Sequence, residues 1–506
     1  MIRTAKTENG MVRGLPSTDM RITVYKGIPF AAPPVGENRW RAPQRCEDWE
    51  GVREAFEYGP IPIQDTPGLG TDVYCKEWHV DPDIPMSEDC LYLNIWTPAK
   101  TGEEKLPVLV WIHGGAFQWG YAQEMEFDGE RLAKRGIVVV TIAYRLGVFG
   151  YMGHPEITAE APDAPANFGC LDQQAAIQWV SRNIAAFGGD PDRISIGGQS
   201  AGGASVMTQI TCEQNFGLIK SAAIISGMIR NPYIEDKFFI PGPLSNTEAN
   251  GAEFVRFLGV DSIEEARKLD PLFIRERYAE YAQDHMRFGI CVDGTFCVGE
   301  PYKLLANNQC ANIPLFAGNT SEEFQAGMEA QSEAELEQVA EKLFGENAKE
   351  ILAFAESKQK TEVGYGQISA LEPAVKAAFE ARAQKGSDQN CYYYRFDADI
   401  PGDDNMGNFH SVDLWFYFET LAKSFRPFVG HHYDLARVMC NYWTNFIKTG
   451  DPNGVDADGT KMPEWIPYSA DQKNEMIFCK DGAVPAMDTD ERIAFYKDLE
   501  IKKQLG

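Results

Sequence analysis

The chain has 506 residues, 44% hydrophobic and 24% charged, which is the make-up of a globular protein with ample material for a large core. Its net charge of −27 argues against a nucleic-acid partner, because phosphate binding needs a basic stripe and none is visible; the acidity reads as a solvated surface. No apolar run reaches the roughly 18 residues of a membrane span.

The N-terminal MIRTAKTENGMVRG lacks the apolar stretch of a secretory signal, so the expected location is cytoplasmic, although a leader already removed would leave the same sequence. Residues 1 to 60 read as strand-rich, with Thr23 to Phe30 followed by AAPPVGENRW, whose prolines forbid helix and suit an edge or surface path. Cys75 to Pro85 is irregular, and strand patterning resumes in SEDCLYLNIWTP. Leu106 to Ile112 (LPVLVWI) and Ile137 to Tyr144 are continuous apolar runs of the kind that form strands buried on both faces. Gly129 to Arg135 and Asp172 to Ile184 are helix-like, the latter with Ile177, Val180 and Ile184 along one side.

Further strands are predicted at Ile194 to Ile196, Ala222 to Ile225, Ile313 to Ala317 and Tyr392 to Phe396. Strands alternating with helices make an open, largely parallel sheet. Thr247 to Leu258, Ile263 to His285, Glu333 to Glu356 and Pro373 to Lys385 are acidic and helix-favouring; they read as insertions over the sheet, where pocket walls are commonly built. With no repeat, low-complexity tract or long linker, residues 1–506 are expected to form one α/β domain with helical cap insertions roughly within 228–310 and 325–390. The eleven cysteines, odd in number and without C-x-x-C pairs or His-rich clusters, suggest reduced thiols and neither a disulfide framework nor a zinc site.

The stretch DPDRISIGGQSAGGASVMTQIT (Asp190 to Thr211) reads as strand, tight turn and helix, with Gly198 and Gly202 two residues either side of Ser200. A serine at such an apex is strained, and a Cβ two residues away would collide with the turn. The turn lifts the Ser200 hydroxyl to a helix N-terminus, whose N–H groups favour a developing negative charge. A lone G-x-S-x-G is also what an ordinary glycine-rich turn looks like, so the remaining catalytic parts decide. Acyl transfer by serine needs a base, an acid to orient the base, and oxyanion donors, in the chain order Ser, Asp or Glu, His.

After Ser200 only His285, His410, His431 and His432 remain. His410 lies in a loop beyond the last of these predicted strands, where it can return to the sheet edge; His285 falls in a cap helix, and His431 and His432 precede a late helix. The acid follows the strand at Ile313 to Ala317, and spacing leaves Glu322 and Glu323 both open. Gly114 and Gly115, after a buried strand, and Ala201 offer backbone N–H groups for an oxyanion hole; His113 reads as a loop-holding residue. Phe117, Trp119 and Phe288 are candidate pocket walls.

YKGIPFAAPP, SEDCLYLNIWTP, WIHGGAF, ANFGCLDQQAAIQWVSRNIAAFGGDPDRISIGGQSAGG, FGLIKSAAIISG, GNFHSVDLWFYF and NYWTNFIKTGDPNG together make the chain resemble the type-B carboxylesterase and cholinesterase-like family, particularly its bacterial members. The resemblance implies an α/β-hydrolase fold, with helices on both faces of a mostly parallel sheet, and a Ser-His-Glu triad. It also implies hydrolysis of small carboxylic esters without metal or organic cofactor. It carries Ser200 to nucleophile, His410 to base, Glu323 to acid and Gly114, Gly115 and Ala201 to the oxyanion hole. Ser226 and Asp413 match polar positions that support the triad. The acidic pattern departs from the family at Glu322 and Phe324, which keeps Glu322 as the fallback.

Gln199 stands where relatives often have glutamate, which lowers the expectation of a cationic substrate. Trp78 lies in the loop where cholinesterases hold a cation-binding tryptophan, with different spacing, and reads as a rim or packing aromatic. Amide or thioester hydrolysis, or acyl transfer, would use the same residues. A non-catalytic interaction protein of this family would be expected to have lost them.

Overall fold

The computed structural model describes residues 1–228, 240–323, 325–330, 332–353, 360–361, 364–369 and 371–502. Its main sheet consists of β1 (Leu15–Pro16), β2 (Thr23–Pro29), β3 (Tyr92–Thr97), β4 (Leu106–Ile112), β5 (Val138–Ile142), β6 (Gly189–Gln199), β7 (Ile219–Ile225), β8 (Leu315–Thr320), β9 (Cys391–Asp397), β10 (Asn474–Cys479) and β11 (Gly482–Met487). The spatial order is β11-β10-β9-β8-β7-β6-β4-β5-β3-β2-β1. From β5 to β10 neighbouring strands run parallel, and both flanks are antiparallel.

The apolar runs are continuous because each strand feeds two cores. In β4, Val108, Val110 and Ile112 enter one cluster, while Leu109 and Trp111 enter the other, as the two-residue side-chain period of a strand requires. The first cluster is closed by α1 (Phe168–Asn183), α2 (Ala201–Thr211) and the helix Leu371–Gln384, which contribute Ile177, Ile210 and Ala378 among others. The second is closed by the helix Gly430–Thr449 through Leu435, Met439, Trp443 and Phe446.

Strand pairing aligns the C-terminal ends of the parallel strands. Ile112 pairs with Gly198, Gln199 with Ile225, Ile225 with Gly318, and Thr320 with Phe396. Residues one to three positions beyond these ends therefore meet along a single edge, the usual ligand edge of a parallel sheet.

Three features differ from the sequence reading. The stretch 263–285 is broken into helices Ile263–Ala266 and Pro271–Tyr281, because Asp270 caps the second and Pro271 opens it. The insertion after residue 325 is not wholly helical: Gln325–Ala330, Lys360–Thr361 and Gly364–Ser369 form a small antiparallel sheet. Phe324 and parts of both cap insertions lie outside the described residues. All eleven cysteines are unpaired, and no helix among the described residues is long and apolar enough to cross a membrane.

Candidate active site

Ser200 joins β6 to α2 at φ 57° and ψ −126°, a strained conformation for a residue with a Cβ. Its N–H donates to the Ile225 carbonyl at 2.9 Å, which pins the apex to β7. A Cβ on Gly202 would stand 2.1 Å from the Ile112 carbonyl oxygen, and one on Gly198 would stand 2.4 Å from the Gly202 carbonyl oxygen. The glycine spacing is thus enforced twice, once by the turn itself and once by the end of β4, an obstacle invisible in the local sequence. The Ser200 side chain makes no capping bond to α2.

Backbone geometry separates the two acid candidates. Glu322 forms an isolated parallel bridge with Phe409, and adjacent residues in extended chain point to opposite sides. Glu322 accordingly turns away and accepts the Asn408 N–H at 2.5 Å. Glu323 turns inward, where Oε2 is hydrogen-bonded to His410 Nδ1 and Oε1 accepts the Ser226 hydroxyl at 2.5 Å and the Thr320 N–H at 3.0 Å. Burial works to raise the Glu323 carboxyl, but the His410 imidazole and these donors outweigh it and hold it below the usual carboxylate range.

On the far side of the ring the Gln199 amide nitrogen lies 3.2 Å from His410 Nε2 and donates to Ser411 Oγ at 2.7 Å. An amide N–H donates, so Nε2 carries the lone pair and Nδ1–H faces Glu323, the tautomer a general base requires. Asp413 is completely buried and accepts the Tyr394 hydroxyl at 2.9 Å. Burial, then the Glu323 charge, push its carboxyl up to about 7.

Ser200, His410, Gly114 and Gly115 line one cavity of about 400 Å³, a size suited to a small organic ligand. Beyond β4 the chain passes through consecutive left-handed residues, Gly115 (φ 105°), Ala116 (φ 52°) and Phe117 (φ 62°), a curl that gathers backbone N–H groups. Ala201 is the first residue of α2, where the N–H has no acceptor within the helix. His113 donates Nδ1–H to the Gly114 carbonyl at 2.9 Å and stacks on Tyr144; burial pushes its imidazole down to about 4, so it steadies the loop as a neutral ring.

The remaining candidates fall elsewhere. His285 stacks on Tyr281, and His431 and His432 contact Asp399. Phe117 packs on Tyr151 and Phe288 on Tyr278, whereas Trp119 does line the cavity. Trp78 is both wall and packing, lining the cavity while it stacks on Phe409.

Two clusters have metal-like donor sets among the described residues: Asp399 with His431 and His432, and Glu372 with Glu475 and Asp488. In the first, both nitrogens of His432 are engaged by backbone groups; the second already encloses the Lys376 ammonium at 2.7, 2.9 and 2.6 Å. Sequence reasoning placed the pocket walls in the cap insertions; it named Gly114, Gly115, Trp119 and the rim candidate Trp78, but missed the rest of the described lining from residues 64–79 and 114–127, which includes His79, Glu124 and Glu126. None comes from the cap helices.

The sequence profile of the Carboxylesterase family matches residues 2–365 and 329–495. The chain is 31% identical to the para-nitrobenzyl esterase of Bacillus subtilis (strain 168) over 496 residues, which is 93% of this chain and 94% of that protein. It is 30% identical to the cholinesterase of Mus musculus over 511 residues, 92% of this chain and 82% of that one. Among solved structures, the Geobacillus stearothermophilus carboxylesterase EST55 superimposes with a TM-score of 0.77 at 30% identity, covering 98% of this chain and 100% of the other. The sheet and its flanking helices are the α/β-hydrolase fold of these structures. The chain belongs to the carboxylesterase family and is a carboxylic ester hydrolase.

Proposed function

We propose that the protein hydrolyses small carboxylic esters through an acyl-enzyme on Ser200. His410 Nε2 takes the Ser200 proton as Oγ attacks the ester carbonyl. Glu323 holds the ring through Nδ1–H and stabilises the imidazolium that forms. The oxyanion is bound by the N–H groups of Gly114, Gly115 and Ala201, each worth roughly 2.7–4 kcal/mol of transition-state stabilisation by analogy with other such donors. His410 then protonates the leaving alcohol, and water repeats the sequence to free the acid and Ser200. Ser226 acts through Glu323 by fixing its second oxygen.

The observation that carries this reading is the buried Glu323–His410 pair, whose histidine lines the same cavity as a serine held at φ 57°. The test is turnover of p-nitrophenyl butyrate by the wild type and by Ser200→Ala. Loss of activity to the background rate is expected in the variant; a fully active Ser200→Ala protein would overturn the mechanism.

A further inference from the structure

A second cavity, of about 240 Å³, adjoins the catalytic one. The two share a wall made by Gln64, Asp65 and Trp119. Its other lining includes Arg275 and Tyr278 of the cap helix Pro271–Tyr281, and Arg287 in the loop beyond it. The cap insertion thus does wall a cavity, next to the one that holds Ser200.

Most polar groups of this second cavity are satisfied by one another. Tyr278 Oη donates to Gln118 Oε1 at 3.0 Å and accepts the Phe288 N–H at 2.9 Å. Gln118 Nε2 donates to the Phe288 carbonyl at 2.7 Å, and the Gln64 amide bonds Gly120 through both its oxygen and its nitrogen. The two arginines differ. Arg287 lies over the Trp119 ring, 4.8 Å from its centroid, and its guanidinium makes no ion pair or hydrogen bond among the described residues. Arg275 has the exposed Glu276 at 3.8 Å, a contact of little strength. Both arginines are partly exposed, within reach of a ligand. Among the described lining residues one carboxylate faces them, Asp65, which accepts the Trp119 indole N–H at 2.9 Å.

Stacking on an indole face orients a guanidinium without using its N–H donors. Arg287 is therefore held in place with its planar fork free for a carboxylate. The catalytic cavity has no lysine or arginine in its described lining, so a carboxylate carried by the substrate meets a cation only across the shared wall. We propose that Arg287, with Arg275, is a subsite for a carboxylate that the ester carries several bonds from its scissile carbonyl. This rests on the esterase reading of the neighbouring cavity and names its substrate class, acid-tailed esters.

The test uses two series of esters. Mono-p-nitrophenyl esters of adipic, suberic and sebacic acids place the carboxylate on the acyl side. Butyrate esters of ω-hydroxy acids of matching length place it on the alcohol side. Each ester is compared with its ω-carboxamide, which has the same shape and no charge. In at least one series the longer acids are expected to show kcat/KM at least ~10-fold above their carboxamides. The difference should lie in KM, because a remote contact serves ground and transition states alike, and it should shrink at high salt. In Arg287→Gln the ratio of acid to carboxamide is expected to fall to about 1, and in Arg275→Gln to fall part of the way.

Equal kcat/KM for acid and carboxamide throughout both wild-type series, or a preference that survives both Arg287→Gln and Arg275→Gln, would overturn the proposal. Free acetate that alters p-nitrophenyl butyrate turnover while neither series shows a preference would mark an effector site instead, and would overturn it too. The wild-type comparison keeps it falsifiable should a variant not fold. Failure of the esterase reading would show separately, as absent turnover of the neutral carboxamide esters.

Discussion

Replacing Glu323 by glutamine is the sharpest perturbation of the triad, because it changes one atom and leaves the packing in place. Glu323 Oε1 accepts from Ser226 Oγ and the Thr320 N–H, and a glutamine Oε1 can keep both bonds. That choice aims the amide NH2 at His410 Nδ1, which must then accept, moving the ring proton to Nε2. The base faces Ser200 in the wrong tautomer. The equivalent change in serine proteases lowers kcat by about 10⁴, or about 5.4 kcal/mol at roughly 1.36 kcal/mol per decade. Glu322→Gln serves as the control: Glu322 accepts the Asn408 N–H on the other side of the bridge, so its loss should cost less than about tenfold. The assay is steady-state kcat on p-nitrophenyl butyrate, with thermal melts to show both variants folded. A folded Glu323→Gln protein within tenfold of wild type, or a larger loss from Glu322→Gln, would refute the assignment of the acid.

Gly202→Ala places a methyl carbon 2.1 Å from the Ile112 carbonyl oxygen, so β4 and the apex must separate. A stability loss of about 1–3 kcal/mol or more and loss of esterase activity are expected, read by urea titration and turnover. Asp413→Asn tests the buried carboxyl. Its folded value of about 7 lies above the ordinary 3.8, so the stability penalty is absent below pH 3.8, grows as pH rises, and levels off above 7. The asparagine variant should therefore gain about 2–3 kcal/mol relative to wild type between pH 5 and pH 8; parallel stability–pH curves would contradict this.

The parts of the site that sterics or chain order dictate were legible in the sequence. Gly198 and Gly202 mark the apex because no other residue fits there. The two-faced strands announce themselves as unbroken apolar runs such as LPVLVWI, which split between two cores. His410 was singled out among four histidines by its loop beyond the last predicted strand, and the structure sets its Nδ1 against Glu323. What stayed open depended on pairings between distant segments. Spacing could not separate Glu322 from Glu323, because what turns only Glu323 toward His410 is a bridge between Glu322 and Phe409.

The rest of the cavity lining was hidden for another reason. Residues 64–79 carry no hydrophobic period, and the acidic string around Glu124 and Glu126 reads as a solvated face, whereas the fold buries both. The small sheet containing Gly364–Ser369 sits in an insertion whose composition favours helix, and its strands exist only by pairing with one another. The break at Asp270–Pro271 was readable, since an acidic cap before proline is a helix-start signal.

The central claim is that Ser200 Oγ becomes covalently bonded during turnover. The direct measurement is peptide mass mapping after brief exposure to a fluorophosphonate probe, run on the wild type and on Ser200→Ala. The account predicts one equivalent of adduct on the peptide bearing Ser200, formed in parallel with loss of esterase activity and missing from the variant. Labelling at another residue, or inactivation with Ser200 unmodified, would contradict it.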